Sequence, residues 1–316
     1  MAVTQQVNLL AGEIIKPRMR VIIINDFGGD PDGLFQLVHH VLSPSVEIRG
    51  IIGSHIQNAG FFDVPKSALY ACEKANEVMK VMELENKYII YKGADTSLKN
   101  MHSPQLSEGI DCIIKEALRE DTNLPLYVVC GCGLTEIASA YLLKPDISKK
   151  LTLVWIGGPE YPEMAYPPPG NNNIEYNLSI DIQAARIIFN QSDIPVWQIP
   201  RDVYRQAIVS YAELLKKVKP CGKTGDYLVS AIENVMRMTS VGETYILGDN
   251  PLVLFTSLQS SFDADPSSSR YIIKSAPVIN SEGNYESYQS KHKIRIYTDI
   301  DIRLMMEDFY QKVSSY

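Results

Sequence analysis

The 316-residue chain lacks the marks of a disulfide scaffold, a membrane protein or a nucleic-acid binder. Its five cysteines, Cys72, Cys112, Cys130, Cys132 and Cys221, are too few and too scattered for a disulfide framework. Cys130-Gly131-Cys132 misses the C-x-x-C redox spacing, and a zinc site would need more partners. The cysteines read as buried and reduced. Positive charge is in the minority: 30 Lys and Arg stand against 37 Asp and Glu, a net charge of −7. There is no long Lys/Arg run to form the basic face that nucleic-acid binders carry, so no nucleic-acid partner is expected. No apolar stretch reaches the roughly 20 residues of a membrane span, so no membrane partner is expected either. Residues 1–17 hold no basic segment followed by an apolar core, so they are not an intact signal peptide. A mature chain whose signal had been cleaved would look the same, which leaves cytoplasmic and periplasmic or secreted locations open.

Three loop motifs are missing as well. Counted from Asp26, the twelfth position that an EF-hand gives to a carboxylate is Leu37. Gly28-Gly29-Asp30 does not supply the G-x-G-x-x-G of a dinucleotide loop. Gly222-Lys223-Thr224 resembles the end of a Walker loop, but the required earlier glycine falls at Lys217 and no strand precedes it.

What is present is an ordinary globular composition, 45% hydrophobic and 21% charged. The length suits one large α/β domain or two small ones. No repeat and no linker divides the chain, so 19–316 reads as a single domain after a flexible leader, 1–18. Its organising stretch is Arg20 to Gly33. An apolar run, Val21-Ile22-Ile23-Ile24, reads as a buried strand and ends in Asp26, Asp30 and Asp32. Leu34, Phe35, Leu37, Val38, Val41 and Leu42 then repeat at helical spacing. The aspartates therefore sit in a loop at the carboxyl end of a strand, where open α/β folds bind ligands. Three carboxylates so close repel one another unless a positive charge lies between them, and hard oxygens suit calcium or magnesium. The plainer reading is a solvated acidic turn that caps the next helix.

Strand and helix go on alternating. Strands are expected at 47–53, 88–91, 126–130, 151–156, 195–199, 271–273 and 293–297. Helices are expected near 64–82, 110–118, 134–143, 182–190, 208–218, 227–238, 252–258 and 304–313. The pattern gives an α/β fold, an open, mostly parallel sheet flanked by helices, with its loops converging on one edge. A long loop, 159–173, carries Pro162, Pro167, Pro168 and Pro169 and then three asparagines; such loops are often functional. Residues 259–292 read as a Ser-, Asp- and Gly-rich excursion. Asp249 is a natural N-cap for the helix after it.

Five segments in order resemble one family. They are Asp26-Phe27-Gly28-Gly29-Asp30-Pro31-Asp32-Gly33, Gly131-Cys132-Gly133-Leu134-Thr135-Glu136-Ile137-Ala138, Val154-Trp155-Ile156-Gly157-Gly158, Asn173-Ile174-Glu175-Tyr176-Asn177 with Asp181, and Gly248-Asp249-Asn250-Pro251. Together they resemble the nucleoside hydrolases, calcium-dependent N-ribohydrolases of the inosine-uridine preferring type, over about residues 20–310. The match is to a divergent branch of that superfamily. The resemblance implies hydrolysis of a ribonucleoside N-glycosidic bond, with Ca2+ as cofactor and a nucleoside or related glycoside as small-molecule partner. It also implies a homo-oligomer. Asp26 would ligate calcium and act as general base on the attacking water. Asp30 and Asp32 would share the remaining metal and ribose-hydroxyl duties of the loop. Asp249 and the backbone carbonyl of Gly131 would complete the metal ligands. Glu175 and Asn177 would hydrogen-bond the ribose, with Asn173 nearby and Asn58 or Gln57 on the other side.

The chain departs from the family in the aspartate loop. The common D-x-D-P-G-x-D-D, aligned without gaps, puts its second and last aspartates on Gly28 and Gly33, whereas a two-residue shift restores Asp26 to the base position. The histidine that commonly precedes the distant aspartate, and protonates the leaving base, is Gly248. His55, His102 and Tyr245 are the candidates to replace it. The alternative reading is a calcium-dependent sugar- or nucleoside-binding protein, or a hydrolase of a non-nucleoside glycoside. A weaker one is a structural calcium site.

Overall fold

The computed structural model of the chain describes residues 14–56, 60–170, 174–259, 268–287 and 290–316. Its strands are β1 (Met19–Asn25), β2 (Val46–Gly53), β3 (Ile90–Lys92), β4 (Leu126–Cys130), β5 (Leu151–Ile156), β6 (Val196–Ile199), β7 (Ile208–Ser210), β8 (Thr244–Ile246), β9 (Arg270–Ser275), β10 (Val278–Ile279), β11 (Tyr285–Ser287) and β12 (Lys293–Asp299). Eight of them form one sheet in the order β3-β2-β1-β4-β5-β6-β12-β9. Every pairing is parallel except β12 with β9 at the edge.

The run Val21-Ile22-Ile23-Ile24 is apolar throughout because both faces of β1 are covered. Val21 and Ile23 enter one core with Phe35, Leu37 and Val38 of the helix Asp32–Val41 and with Phe309 of the helix Ile302–Ser314. Ile22 and Ile24 enter the other with Ile113 of the helix Glu108–Ala117 and Ile137 of the helix Thr135–Leu143. All four are fully buried. At about 25 cal/mol per Å² of apolar surface, such two-sided burial is the main favourable term holding the sheet.

From β1 the chain moves outward to β2 and β3, then returns to place β4 on the other side of β1. Strand order reverses there. The crevice at the carboxyl ends of β1 and β4 is the topological switch point, the usual ligand position of such sheets.

Two expectations are corrected. Ile208 does not open a helix: β7 pairs antiparallel with β8, and the helix is Tyr211–Lys217. Val209 is buried between exposed Ile208 and Ser210, the period of a strand. The stretch 259–292 carries more than one strand, since β9 extends the main sheet and β10 pairs with β11. Among the described residues no helix is long and apolar enough to cross a membrane. All five cysteines are free, and only Cys221 is partly exposed.

Candidate active site

Asp26 is the residue after β1, and Gly131 is the residue after β4. The neighbouring strands bring them together, and the Gly131 N–H donates to the carbonyl of Ile24 at 3.0 Å. The turn after Asp26 is tight: the Gly29 N–H donates back to the Asp26 carbonyl at 2.7 Å. Asp30 Oδ1 accepts the Asp32 N–H at 3.2 Å and the Tyr245 hydroxyl at 2.9 Å. From the far end of the chain Asp249 joins them, accepting from Asn25 Nδ2 at 2.8 Å.

Asp26, Asp30, Asp32, Gly131, Glu175, Asn177 and Asp249 all line one cavity of about 300 Å³. Phe61, Phe62, Ile156, Tyr176, Tyr204 and Gly248 complete the wall. Asn58 and Asn173 lie outside the described residues.

The electrostatics of this wall are one-sided. Burial holds the Asp26 carboxyl well above its usual range, and the charges of Asp249 and Asp30 add to it. Asp32 is raised by burial and then by Asp249, Asp30 and Asp26. Asp249 is pushed up to about 7 by burial, with Asp30 and Glu175 adding and the Asn25 hydrogen bond opposing. Asp30 is raised by burial against the Tyr245 hydrogen bond. Among the described residues no Lys or Arg lines the cavity to offset these charges. Among the described residues, no three His, Cys, Asp or Glu side chains are already drawn together as a metal cluster. The carboxylates surround a space instead. Their donor set still fits a hard divalent cation: carboxylate and carbonyl oxygens, mutually repelling and without a counter-charge.

Glycines shape the space. A Cβ on Gly131 would come within 2.7 Å of both Asp249 carboxylate oxygens and within 2.6 Å of Asn25 Nδ2. A Cβ on Gly33 would meet the Asn25 amide at 3.0 Å, and one on Gly28 would enter the Tyr70 ring at 2.5 Å. The absence of a side chain at Gly33 leaves room for the Asn25 amide. Asn25 is fully buried, and among the described residues its Oδ1 has no hydrogen-bond partner.

Glu175 is the N-cap of the short helix Tyr176–Ile180. Its Oε1 accepts from the Asn177 N–H at 3.2 Å and the Tyr204 hydroxyl at 2.9 Å. Its Oε2 accepts from the N–H groups of Gly158 at 2.8 Å and Leu178 at 3.0 Å. The Asn177 amide donates to the carbonyls of Ile156 at 2.8 Å and Gly131 at 3.3 Å. Asp181, the last acidic residue of that segment, is structural: it caps the helix Ile182–Arg186 and accepts from Thr135 Oγ1 at 2.7 Å.

One further expectation changes. Asp249 does not cap the helix Pro251–Val253, whose N-cap position is Asn250 without a side-chain bond. The Asp249 carboxylate turns to Asn25 instead. Of the candidate proton donors, His55 is buried against Thr135 Oγ1 at 3.0 Å and does not line the cavity. His102 sits exposed on a turn. Tyr245 is committed to Asp30 and faces a neighbouring cavity. Sequence reasoning missed Asn25 and Tyr204. Asn25 carries a faint signal, a polar residue closing an otherwise apolar strand.

The fold is shared with solved hydrolases. It is similar to a plant nucleoside hydrolase, with a TM-score of 0.71 and 18% identity over 95% of this chain and 100% of that one. It is similar to an inosine-guanosine nucleoside hydrolase, with a TM-score of 0.70 and 15% identity over 94% and 99%. It is similar to the inosine-uridine preferring nucleoside hydrolase of Bacillus anthracis, with a TM-score of 0.64 and 15% identity over 94% and 100%. No curated protein matches the chain. The family model described as inosine-uridine preferring nucleoside hydrolase matches residues 21–302. The chain belongs to that family and is a hydrolase acting on N-glycosyl compounds.

Proposed function

We propose that this cavity hydrolyses the N-glycosidic bond of a ribonucleoside and that it works with a bound divalent cation, calcium by its ligand chemistry. The observation that carries the reading is the meeting of Asp26, Asp30, Asp32 and Asp249 around one cavity, with no cationic side chain among the described residues of its lining. The ligands would be those four carboxylates and the Gly131 carbonyl. When bound, such an ion orients vicinal hydroxyls and lowers the pKa of a water.

The side chains divide the remaining work. Asp26 accepts the proton of the attacking water, a role open to a carboxylate placed beside that water. Asp32 and Asn177 face the ribose hydroxyls; Asn58 and Asn173, which the family resemblance implies as further ribose contacts, lie outside the described residues. Cleavage passes through an oxocarbenium-like transition state, and carboxylates around the ring, Glu175 among them, stabilise its developing charge. Phe61, Phe62 and Tyr176 give the base an apolar wall.

One observation favours a second reading. Gly248 leaves the usual leaving-group histidine absent, as a calcium-dependent nucleoside- or sugar-binding protein would allow. The test is release of free ribose from a nucleoside panel and from nitrophenyl riboside, with calcium and with chelator, for the wild type and Asp26→Asn. Turnover lost with chelator and in the variant supports the hydrolase. Calcium-dependent nucleoside binding without any turnover supports the binding protein.

A further inference from the structure

The place before Asp249 has no side chain of its own, yet it is filled. A Cβ built on Gly248 would lie 3.2 Å from Cδ2 of Tyr204 and 3.3 Å from Oδ2 of Asp32. The Tyr204 ring therefore packs where the histidine side chain of other family members would begin. It reaches that place from another part of the chain, the end of the turn Arg201–Tyr204 after β6. The turn is fixed from behind. The Arg201 guanidinium makes a bidentate buried pair with Glu160, 2.7 Å through Nε and 2.6 Å through Nη2, and the Tyr204 N–H donates to the Pro200 carbonyl at 3.0 Å.

We propose that Tyr204 is the general acid that protonates the leaving base, standing in for the histidine that Gly248 removes. The inference rests on the hydrolase reading. Tyr204 lines the same cavity as Asp26 and Asp249, and its hydroxyl is bonded to Glu175, which lines that cavity too. The other candidates lie elsewhere: His55 is buried against Thr135 outside this cavity, His102 is on the surface, and Tyr245 lines the neighbouring cavity. The hydroxyl now donates to Glu175 Oε1 at 2.9 Å, and three backbone N–H groups hold that carboxylate besides. A ribose hydroxyl donating to Oε1 would free the phenol to turn to the leaving nitrogen. Burial, and then the Glu175 charge, raise the Tyr204 pKa, so the donor is loaded at neutral pH.

The step balances. The C1′–N bond breaks and its electron pair stays on the base nitrogen, which takes the Tyr204 proton. Water adds its oxygen to C1′ and gives a proton to Asp26. Exchange with solvent returns one proton to Tyr204 and removes one from Asp26, so the sum is one water consumed.

The bland alternative is that Tyr204 only holds Glu175 in place. The two differ in leaving-group dependence. A general acid contributes roughly 10²–10⁴-fold, and only for a leaving group that needs the proton. Tyr204→Phe keeps the ring that packs beside Gly248. It is expected to lower kcat/KM for inosine by roughly 10²–10⁴-fold and to leave nitrophenyl riboside within about threefold, because nitrophenolate departs unprotonated. Asp26→Asn is the control that lowers both. An equal loss on both substrates, or no loss on inosine, overturns the acid role while the hydrolase stands. Wild-type turnover of nitrophenyl riboside but of no nucleoside overturns it too. No turnover of either substrate by the wild type overturns the hydrolase reading and this inference with it.

Discussion

Asn25 and Asp249 stand 224 positions apart in the chain and are joined by a 2.8 Å hydrogen bond in a fully enclosed setting. The same amide nitrogen reaches Gln36 Oε1 at 3.3 Å, so the first strand, the first long helix and the late Asp249 loop meet at one side chain. That bond opposes the burial and carboxylate repulsion acting on Asp249. Asn25→Ala should leave a buried carboxylate short of its donor. Loss of such a partner costs about 1–3 kcal/mol, read as a lower denaturant midpoint, and calcium affinity should fall with it.

Gly131→Ala tests how closely the backbone must approach Asp249. The added carbon would lie within 2.7 Å of both carboxylate oxygens, with the buried Asn25 amide blocking retreat. Overpacking of this kind costs about 1–3 kcal/mol. The variant should fold with a lowered melting temperature and lose most ribose release.

The Arg201–Glu160 pair holds the turn that carries Tyr204, and both side chains are buried. Arg201→Met should strand the Glu160 carboxylate and cost about 3–5 kcal/mol. Replacing both residues by Met should recover much of that loss, because an apolar pair of similar volume removes the stranded charge. Urea unfolding of the single and double variants decides it.

His39 sets an acid limit on stability. Its ring is fully buried, with Nε2 2.8 Å from Asp308 Oδ2. Burial lowers its pKa to about 4, outweighing Asp308. The unfolded chain takes up a proton near pH 6.5, and the folded chain does not until about pH 4. Stability is therefore intact above 6.5 and falls as the pH drops toward 4, by about 3 kcal/mol at 1.36 kcal/mol per unit. His40, lowered by burial and then by His39, acts in the same direction. His39→Gln should flatten the decline between pH 6.5 and 4 in thermal melts.

Sequence alone reached the sheet because its parallel strands are buried on both faces and read as unbroken apolar runs, as Val21 to Ile24 do. Asp26, Asp30 and Asp32 were legible as carboxylates at the end of a buried strand, whereas Gly131, Glu175, Asn177 and Asp249 came only from the family resemblance; the fold brings all seven to one cavity. Sequence alone did not reach Tyr204, whose surroundings in Asp202-Val203-Tyr204-Arg205 carry no periodic or spacing signal. Nor did it show that the gap left by Gly248 is filled from β6, a relation that exists only once β5, β6 and the Asp249 loop are packed. The β7–β8 pair was hidden for a different reason. Three-residue strands are too short to separate a period of 2 from one of 3.6, and the helical spacing after Tyr211 ran on through them.

Calorimetric titration of calcium into the metal-stripped protein, with ribose release followed in the same samples, tests the central claim most directly. One saturable site is expected, with activity that rises with its occupancy and loss of both in Asp249→Asn. Ribose release that persists in chelator, without any calcium-binding heat, would contradict it.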